Sequence, residues 1–259
     1  MTSFLAPLLA AVLTAGPVPS SSATDAEHPA HAARPAVGAL AGRVIVLDPG
    51  HQLGNRRFPD KINRLVPAGG MRKPCNTTGT ATNGGYPEAT FAWDVTQRLK
   101  AKLEKSGAIV VLTRKSNRED AWGPCVDYRG RAGNKRQADL KISIHGDGST
   151  ASGAHGFHVI YPPDRAPWTD DISTPSRRLA KITKNMLVRT DFSVANYIAG
   201  GDGLDERSDL GTLNLSDVPT VMVECGNMRD SGDAATMTSP RGQARYARAL
   251  ARAVRTYLG

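Results

Sequence analysis

Three short apolar segments of the chain have the pattern of buried β-strands, and each leads into a polar side chain at a glycine-containing turn. They are residues 44–51, 140–146 and 218–226, and the polar residues are His51, His145 and Glu224. Short apolar runs that stop at turn residues are typical of buried strands. In open α/β sheets, ligands bind just beyond the carboxyl ends of the strands. The pattern therefore predicts that two histidines and a glutamate lie at strand ends and form a metal site.

Helix-like and strand-like segments alternate along the rest of the chain. The apolar spacing and the turn residues predict helices that begin at Pro87–Glu88, cover 127–138, run from Thr174 to about Val188, and begin at Ser239–Pro240. Further strands are predicted at 109–112 and 156–161. This alternation indicates a single α/β domain with a mainly parallel sheet.

The first residues of the chain resemble a secretory signal. An apolar run over 4–16 is followed by small residues at 21–23 that are typical of a cleavage site, although no basic residue precedes Arg34. The run is shorter than the roughly 20 residues of a membrane-spanning helix. The mature chain is therefore expected in the periplasm, in the cell wall or outside the cell, as a monomer without a transmembrane segment. The expected parts are a signal peptide at 1–23, a flexible tail at 24–40 and the folded domain at 41–259.

The chain is strongly basic, with a formal net charge of +9 and a pI near 9.7. Such a charge indicates an anionic partner or surface. No helix-turn-helix, zinc-finger or RNP pattern is present, so an anionic cell envelope is favoured over nucleic acid. The last predicted helix carries an arginine on every turn, which favours a solvated face over a dedicated anion-binding surface. These residues are Arg241, Arg245, Arg248, Arg252 and Arg255.

The segment 52–86 is rich in turn residues and in basic side chains. A long loop of this kind in a compact domain is usually functional. Two interpretations remain open: a solvated, mobile excursion, or a lip over the active site that contacts an anionic glycan or peptide.

Three cysteines suit an exported protein with one disulfide and one free thiol. Cys75 and Cys125 both lie in turn-rich segments, whereas Cys225 lies inside an apolar strand. We therefore expect a disulfide between Cys75 and Cys125 and a buried free thiol at Cys225.

A hydrolytic zinc site typically has three protein ligands and one position open for water. His51 and His145 provide two nitrogen ligands, and Glu88 at a helix start is the best candidate for the third. Glu224 is placed to accept a proton from the attacking water. A lone histidine after a strand is more often a structural hydrogen-bonding residue, but two at matched positions with two carboxylates favour a metal site.

The segment 44–51 resembles the opening motif of the zinc-dependent N-acetylmuramoyl-L-alanine amidases, a family of cell-wall hydrolases. Further segments similar to that family's motifs follow in the family's order, and the match spans about 43–258. No single segment is decisive, but the combination is specific. The chain resembles in particular the compact, exported mycobacterial type that has no wall-binding module. The matching segments are Thr113–Arg114, Arg129 and Asn134 ahead of 138–145, Leu210–Asn214, and 218–227.

The resemblance implies that His51, Glu88 and His145 bind one zinc ion and that Glu224 is the catalytic acid and base. It implies a twisted, mainly parallel sheet with helices on both faces. The implied reaction is hydrolysis of the amide between the lactyl group of N-acetylmuramic acid and L-alanine of the stem peptide. The substrate would be peptidoglycan or its muropeptide fragments.

Some residues near the motifs depart from the family pattern. Gly146 and Asp147 follow His145 where the family commonly has Ala-Asn, and Asn227 stands where many members have phenylalanine. Asp48 is expected to form a turn or to contact a metal-binding histidine. His155 and His158 lie outside the matched motifs and are not expected to bind metal. Candidate substrate contacts are Arg129, Asn134 and Asp147.

Two alternatives to the amidase remain open. A zinc peptidase that cuts within the stem peptide would use the same metal chemistry on a different bond. A wall-binding protein with a degenerate site would need no catalysis, although all four presumed site residues are present.

Overall fold

A six-stranded sheet forms the centre of the part of the chain that the computed structural model describes, residues 1–2 and 38–259. Across the sheet the strand order is β4-β1-β5-β8-β6-β7, and β6 and β7 run antiparallel to the other four. The predicted α/β class with a mainly parallel sheet is therefore confirmed. Including a separate hairpin of β2 and β3, the strands are β1 (Val44–Pro49), β2 (Leu65–Pro67), β3 (Arg72–Pro74), β4 (Ile109–Leu112), β5 (Leu140–Asp147), β6 (His158–Tyr161), β7 (Leu204–Glu206) and β8 (Thr220–Asn227).

Helices cover both faces of the sheet. The helices are α1 (Pro59–Ile62), α2 (Glu88–Lys105), α3 (Val126–Arg131), α4 (Ser173–Val188), α5 (Gly211–Asn214), α6 (Ser231–Thr238) and α7 (Pro240–Leu258). The long helices α2, α4 and α7 pack on one face, and α5 packs on the other with α3 and the β2–β3 hairpin beside it. Among the residues described, no helix combines the length and hydropathy that a membrane crossing requires.

Alternate side chains of each strand point to opposite faces and so separate the core from the site. In β1, Ile45 and Leu47 belong to the main core under α2, α4 and α7, whereas Val46 packs in a smaller cluster on the other face. Full burial of an aliphatic side chain stabilises the folded state by about 1.5–3 kcal/mol, so the main core provides most of the stabilisation from apolar burial. His145 and Glu224 share the second face, because they are register partners on β5 and β8.

The predicted helix at 127–138 is wrong in its extent. Helix α3 ends at Arg131, and a separate 3₁₀ turn follows at Asn134–Arg136. Between them Gly133 has a left-handed φ of 96°. A Cβ at this position would lie only 2.6 Å from Cγ2 of Val46. The chain therefore breaks its helix to pass closely over β1, a tertiary contact that helical spacing does not reveal.

The segment 52–86 is more ordered than a structureless loop. It contains a 3₁₀ helix at Leu53–Arg57, helix α1 and the β2–β3 hairpin. A disulfide joins Cys75, just after the hairpin, to Cys125, just before α3, and Cys225 is a buried free thiol. The disulfide thus connects this segment to the rest of the domain. The predicted signal peptide and almost all of the predicted tail, residues 3–37, lie outside the described residues.

Candidate active site

Glu88, at the start of α2, connects the two predicted histidine ligands. Its Oε1 lies 3.0 Å from Nε2 of His51 and 2.9 Å from Nδ1 of His145. Its Oε2 accepts a hydrogen bond of 2.9 Å from the backbone N–H of Thr80, which fixes the carboxylate. The three residues each offer one ligand atom, and these atoms lie within 4.8 Å of one another. Two imidazole nitrogens and one carboxylate oxygen form a known donor set of catalytic zinc sites, so the cluster fits this metal.

The protonation of this cluster is set by burial and by mutual attraction. Burial alone would raise the pKa of Glu88, but the neighbouring His51 and hydrogen bonds from both histidines lower it below its usual range. Burial would lower the pKa of His51, but Glu88 outweighs burial and raises it. Burial lowers the pKa of His145. Glu88 is therefore held as a carboxylate, the form that a metal ligand must have.

The turn after β1 brings the two histidines together. His51 has a φ of 53°, in the left-handed region that side chains other than glycine rarely occupy. Such strained backbone persists where the surrounding structure over-determines it, often at functional sites. A Cβ at Gly50 would lie 2.5 Å from Cε1 of His145. The Asp-Pro-Gly-His sequence therefore needs its glycine because the imidazole of His145 packs directly against the backbone there.

Glu224 faces the same cleft as the three presumed ligands. Burial, with the negative charges of Glu88 and Asp147, raises the pKa of Glu224 well above its usual value. Its Oε2 is buried and has no hydrogen-bond partner in residues 38–259. A carboxyl group with a raised pKa beside a metal site can both accept and return a proton.

The cleft lies at the strand ends and is lined in part by the end of the β2–β3 hairpin and the loop that follows it. Most residues of 73–80 line the cleft, and residues 209–212 line it beside them. Nζ of Lys73 donates to the carbonyl oxygen of Asp209 at 2.8 Å and to Oδ2 of Asp209 at 3.0 Å, and Arg207 also pairs with Asp209. The end of the basic segment 52–86 therefore borders the cleft, and its role as a lip that contacts a glycan or peptide stays a prediction.

A model of the family described as N-acetylmuramoyl-L-alanine amidase matches residues 45–256. The chain belongs to this family. It is 43% identical to the N-acetylmuramoyl-L-alanine amidase Rv3717 of Mycobacterium tuberculosis over 85% of this chain and 88% of that protein.

Solved amidase structures share the fold. The chain is similar to the N-acetylmuramyl-L-alanine amidase Ami1 of Mycobacterium smegmatis, with 40% identity and a TM-score of 0.78 over 85% of this chain and 98% of that one. It is equally similar to Ami1 of Mycobacterium abscessus in its apo form, with 42% identity and a TM-score of 0.78 over 85% of this chain and 100% of that one. The compact mycobacterial type that the sequence resembles is therefore confirmed.

The structure of this amidase-family chain brings some predicted substrate contacts to the cleft and not others. Asp147 lines the cleft and accepts a hydrogen bond of 2.8 Å from the hydroxyl of Tyr197. Arg129 borders the cleft but is buried, and its guanidinium donates to the carbonyl oxygen of His51 at 2.6 Å. Asn134 lies away from the cleft, where its side chain binds the backbone of Leu215 and Asp217. Arg129 and Asn134 thus support loops.

Other sequence expectations have mixed outcomes. Asp48 contacts Arg129, Thr113 and Ser143 and not a histidine, so it reaches His51 only through Arg129. His155 is outside the metal cluster, with Nδ1 2.9 Å from the carbonyl oxygen of Gly153.

Sequence reasoning missed the network of Lys73, Arg207 and Asp209, because these residues meet only when the hairpin folds over the sheet. No local sequence pattern indicates this cluster of opposite charges, because Lys73 is far from Arg207 and Asp209 in the sequence.

Proposed function

We propose that this chain is an exported, zinc-dependent N-acetylmuramoyl-L-alanine amidase that cleaves the bond between N-acetylmuramic acid and L-alanine in peptidoglycan. The single observation that carries the proposal is the position of Glu224. It stands beside the cluster of His51, Glu88 and His145, in one cleft of a chain that belongs to this amidase family.

His51, Glu88 and His145 would hold the zinc ion. Zinc supplies Lewis acidity when bound, which polarises the amide carbonyl and makes an attacking water more acidic. The chain prepares the ligands for this task, since Thr80 fixes Glu88 and Gly50 admits the ring of His145.

Glu224 would move the proton. As a carboxylate it takes a proton from the water that attacks the carbonyl carbon, and as a carboxylic acid it gives that proton to the departing nitrogen. One C–O bond forms and the C–N bond breaks. The products are a free lactyl carboxylate on the muramic acid and a stem peptide with a free L-alanine amino group. The raised pKa of Glu224 matches this double role as proton acceptor and proton donor.

Fragment analysis tests the reaction directly. Purified protein with zinc is incubated with peptidoglycan, and the soluble products are identified by mass spectrometry. The proposal expects intact stem peptides that begin with L-alanine, released about 10²–10⁴-fold more slowly by Glu224→Gln protein. Fragments in which L-alanine stays joined to muramic acid would instead identify a peptidase, and no release at all would support a wall-binding protein without catalysis.

Location and partner are part of the same proposal. Peptidoglycan lies outside the cytoplasmic membrane, so the activity requires export, which agrees with the apolar run at 4–16. The substrate would reach the site as wall polymer or as muropeptide fragments. The chain would work as a monomer.

A further inference from the structure

His158 stands directly beside the presumed catalytic glutamate, on the side away from the metal cluster. Strand β8 pairs Glu224 with His145 of β5 on one side and with His158 of β6 on the other. Register partners on neighbouring strands point to the same face, with Cβ atoms about 4.5–5.5 Å apart. The three side chains therefore form one row across the sheet, His145, Glu224 and His158.

Two residues of this row each have a buried polar atom without a hydrogen-bond partner. Nδ1 of His158 and Oε2 of Glu224 are both buried, and neither has a hydrogen-bond partner in the part of the chain that is described. Buried polar atoms in folded proteins are nearly always paired, and exceptions in a native structure call for an explanation. Because their residues are register partners on β6 and β8, each atom is a candidate partner for the other.

The surroundings keep the imidazole of His158 neutral and in place. The residue is 2% exposed. Burial lowers its pKa, with Asp147 and Asp205 opposing this effect and Arg207 adding to it. The ring of Tyr197 lies edge-on to it, with 6.5 Å between the ring centroids and an angle of 83° between the planes. The hydroxyl of Tyr197 is in turn held by Asp147. A neutral imidazole retains one N–H to donate.

We propose that His158 is a positioning residue for Glu224. Its Nδ1 hydrogen-bonds to Oε2 of Glu224, directly or through one water, and so keeps the other carboxyl oxygen turned toward the reacting amide. A general base works efficiently only when its geometry is held by its neighbours. This inference rests on the proposed amidase function, since it assigns a partner to the acid and base of that reaction.

Three substitutions at His158 separate positioning from simple packing. Leucine fills much of the space but has no polar atom. Asparagine offers its amide close to the place of Nδ1, whereas glutamine offers its amide close to the place of Nε2. We expect His158→Leu to lower kcat by about tenfold with little change in KM, because the orientation of Glu224 affects proton transfer and not substrate binding. His158→Asn should retain more of the wild-type kcat than His158→Gln does.

The control is Ile160→Val, on the same strand and the same face two residues along, where the side chain packs with Leu213 and Met222. It should leave kcat unchanged. Zinc content and thermal unfolding are measured for every variant. Loss of zinc from His158→Leu would overturn the proposal, since His158 would then be acting on the metal site. An equal kcat for wild type and His158→Leu, or a higher kcat for His158→Gln than for His158→Asn, would also overturn it.

A double-variant comparison tests the link to Glu224. In a Glu224→Gln background, addition of His158→Leu should change the residual rate by much less than tenfold, because residues that act as a unit are not additive. The same fold-change in both backgrounds would refute a link between the two residues. Absence of turnover in the wild-type protein would contradict the proposed function itself, and the two failures are therefore distinct.

Discussion

The guanidinium of Arg129 lies 2.5 Å from the carboxylate of Asp48, and both side chains are almost completely buried. Thr113 and Ser143 donate two further hydrogen bonds to this carboxylate. Arg129 also donates to the carbonyl oxygen of Pro49 at 2.7 Å. Burial alone would raise the pKa of Asp48, but Arg129 and the two hydroxyl groups lower it far below its usual value. The pair therefore braces the turn that carries His51.

Asp48→Asn is expected to lower the free energy of unfolding by about 3–5 kcal/mol, because it leaves the Arg129 guanidinium buried without a counter-charge. The stabilisation is present above the unfolded-state pKa of 3.8 and is lost as pH falls toward the lower folded-state pKa. Denaturant unfolding at neutral and acid pH measures both effects. Asp120→Asn, which breaks an exposed pair with Arg118, is the control and should change stability far less. Equal losses of unfolding free energy in the two variants would contradict a bracing role for the Asp48–Arg129 pair.

Lys141 is expected to make the free energy of unfolding depend on pH between about 7 and 10.5. It is fully buried on β5, and its Nζ donates to the carbonyl oxygens of Arg129 and Gly130 at 3.2 and 2.5 Å. Burial lowers its pKa from 10.5 to about 7. Between these values the unfolded chain binds the extra proton, so stability rises with pH across this window. The rise is expected to be a few kcal/mol at most, since one pKa unit corresponds to about 1.4 kcal/mol.

The comparison variant for this prediction is Lys141→Met, whose unbranched side chain is one atom shorter and cannot titrate. Its free energy of unfolding is measured beside that of the wild type from about pH 7 to pH 10. Other titrating groups affect both proteins equally, so the difference isolates Lys141. Parallel curves would show that the lysine titrates normally in the folded protein.

The strand ends and the helix starts were predictable because each depends on neighbouring residues. The apolar run before Asp48 stops at Pro-Gly, and Ser239 accepts a hydrogen bond from the backbone N–H of Gly242 at the start of α7, as its sequence position indicated. Such local signals located His51, His145 and Glu224, and α2 begins at Glu88 as expected.

The features that were missed depend on contacts between distant parts of the chain. Gly133 breaks a helix because Val46 lies under it, and Arg129 turns inward because Asp48 is buried there. The partner of His158 is visible only once β6 is known to run beside β8. None of these contacts leaves a periodic pattern in the sequence, so no reading of single segments could have found them.

The two glutamates of the site are expected to fail in different ways. Glu224→Gln should fold and keep zinc, but should lose about 10²–10⁴-fold in kcat, the usual contribution of a general acid–base group. Glu88→Gln should weaken zinc binding, with activity partly restored by added metal, because a neutral amide is a poorer ligand than a carboxylate. Metal analysis and turnover are measured on the same samples. Zinc loss in Glu224→Gln with full occupancy in Glu88→Gln would exchange the two roles.

A basic groove lies between the C-terminal halves of α2 and α7, and we name it the α2–α7 groove. None of its five cations forms an ion pair within residues 38–259. Arg245, which the sequence placed on the same stripe, instead lies over the ring of Phe192, with its guanidinium 4.2 Å from the ring centroid. Glu88 begins α2 and the groove lies at its end, so the groove is about 25 Å from the metal cluster. The cations of the groove are Lys102, Lys105, Arg248, Arg252 and Arg255.

We expect this α2–α7 groove to contribute to attachment to the anionic cell envelope. Arg248→Glu with Arg252→Glu should weaken binding to purified cell walls while leaving turnover of small soluble muropeptides unchanged, because the groove is remote from the cleft.

The matched control is Lys135→Glu with Arg136→Glu, which changes the net charge equally at an exposed turn. Co-sedimentation is measured at about 0.1 M and 1 M salt, where the Debye length falls from about 10 Å to 3 Å. Wild-type binding should fall at the higher salt, and the groove variant should bind less than the control at the lower salt. Equal binding of the two variants would show that only net charge matters, and binding indifferent to salt would exclude an electrostatic attachment.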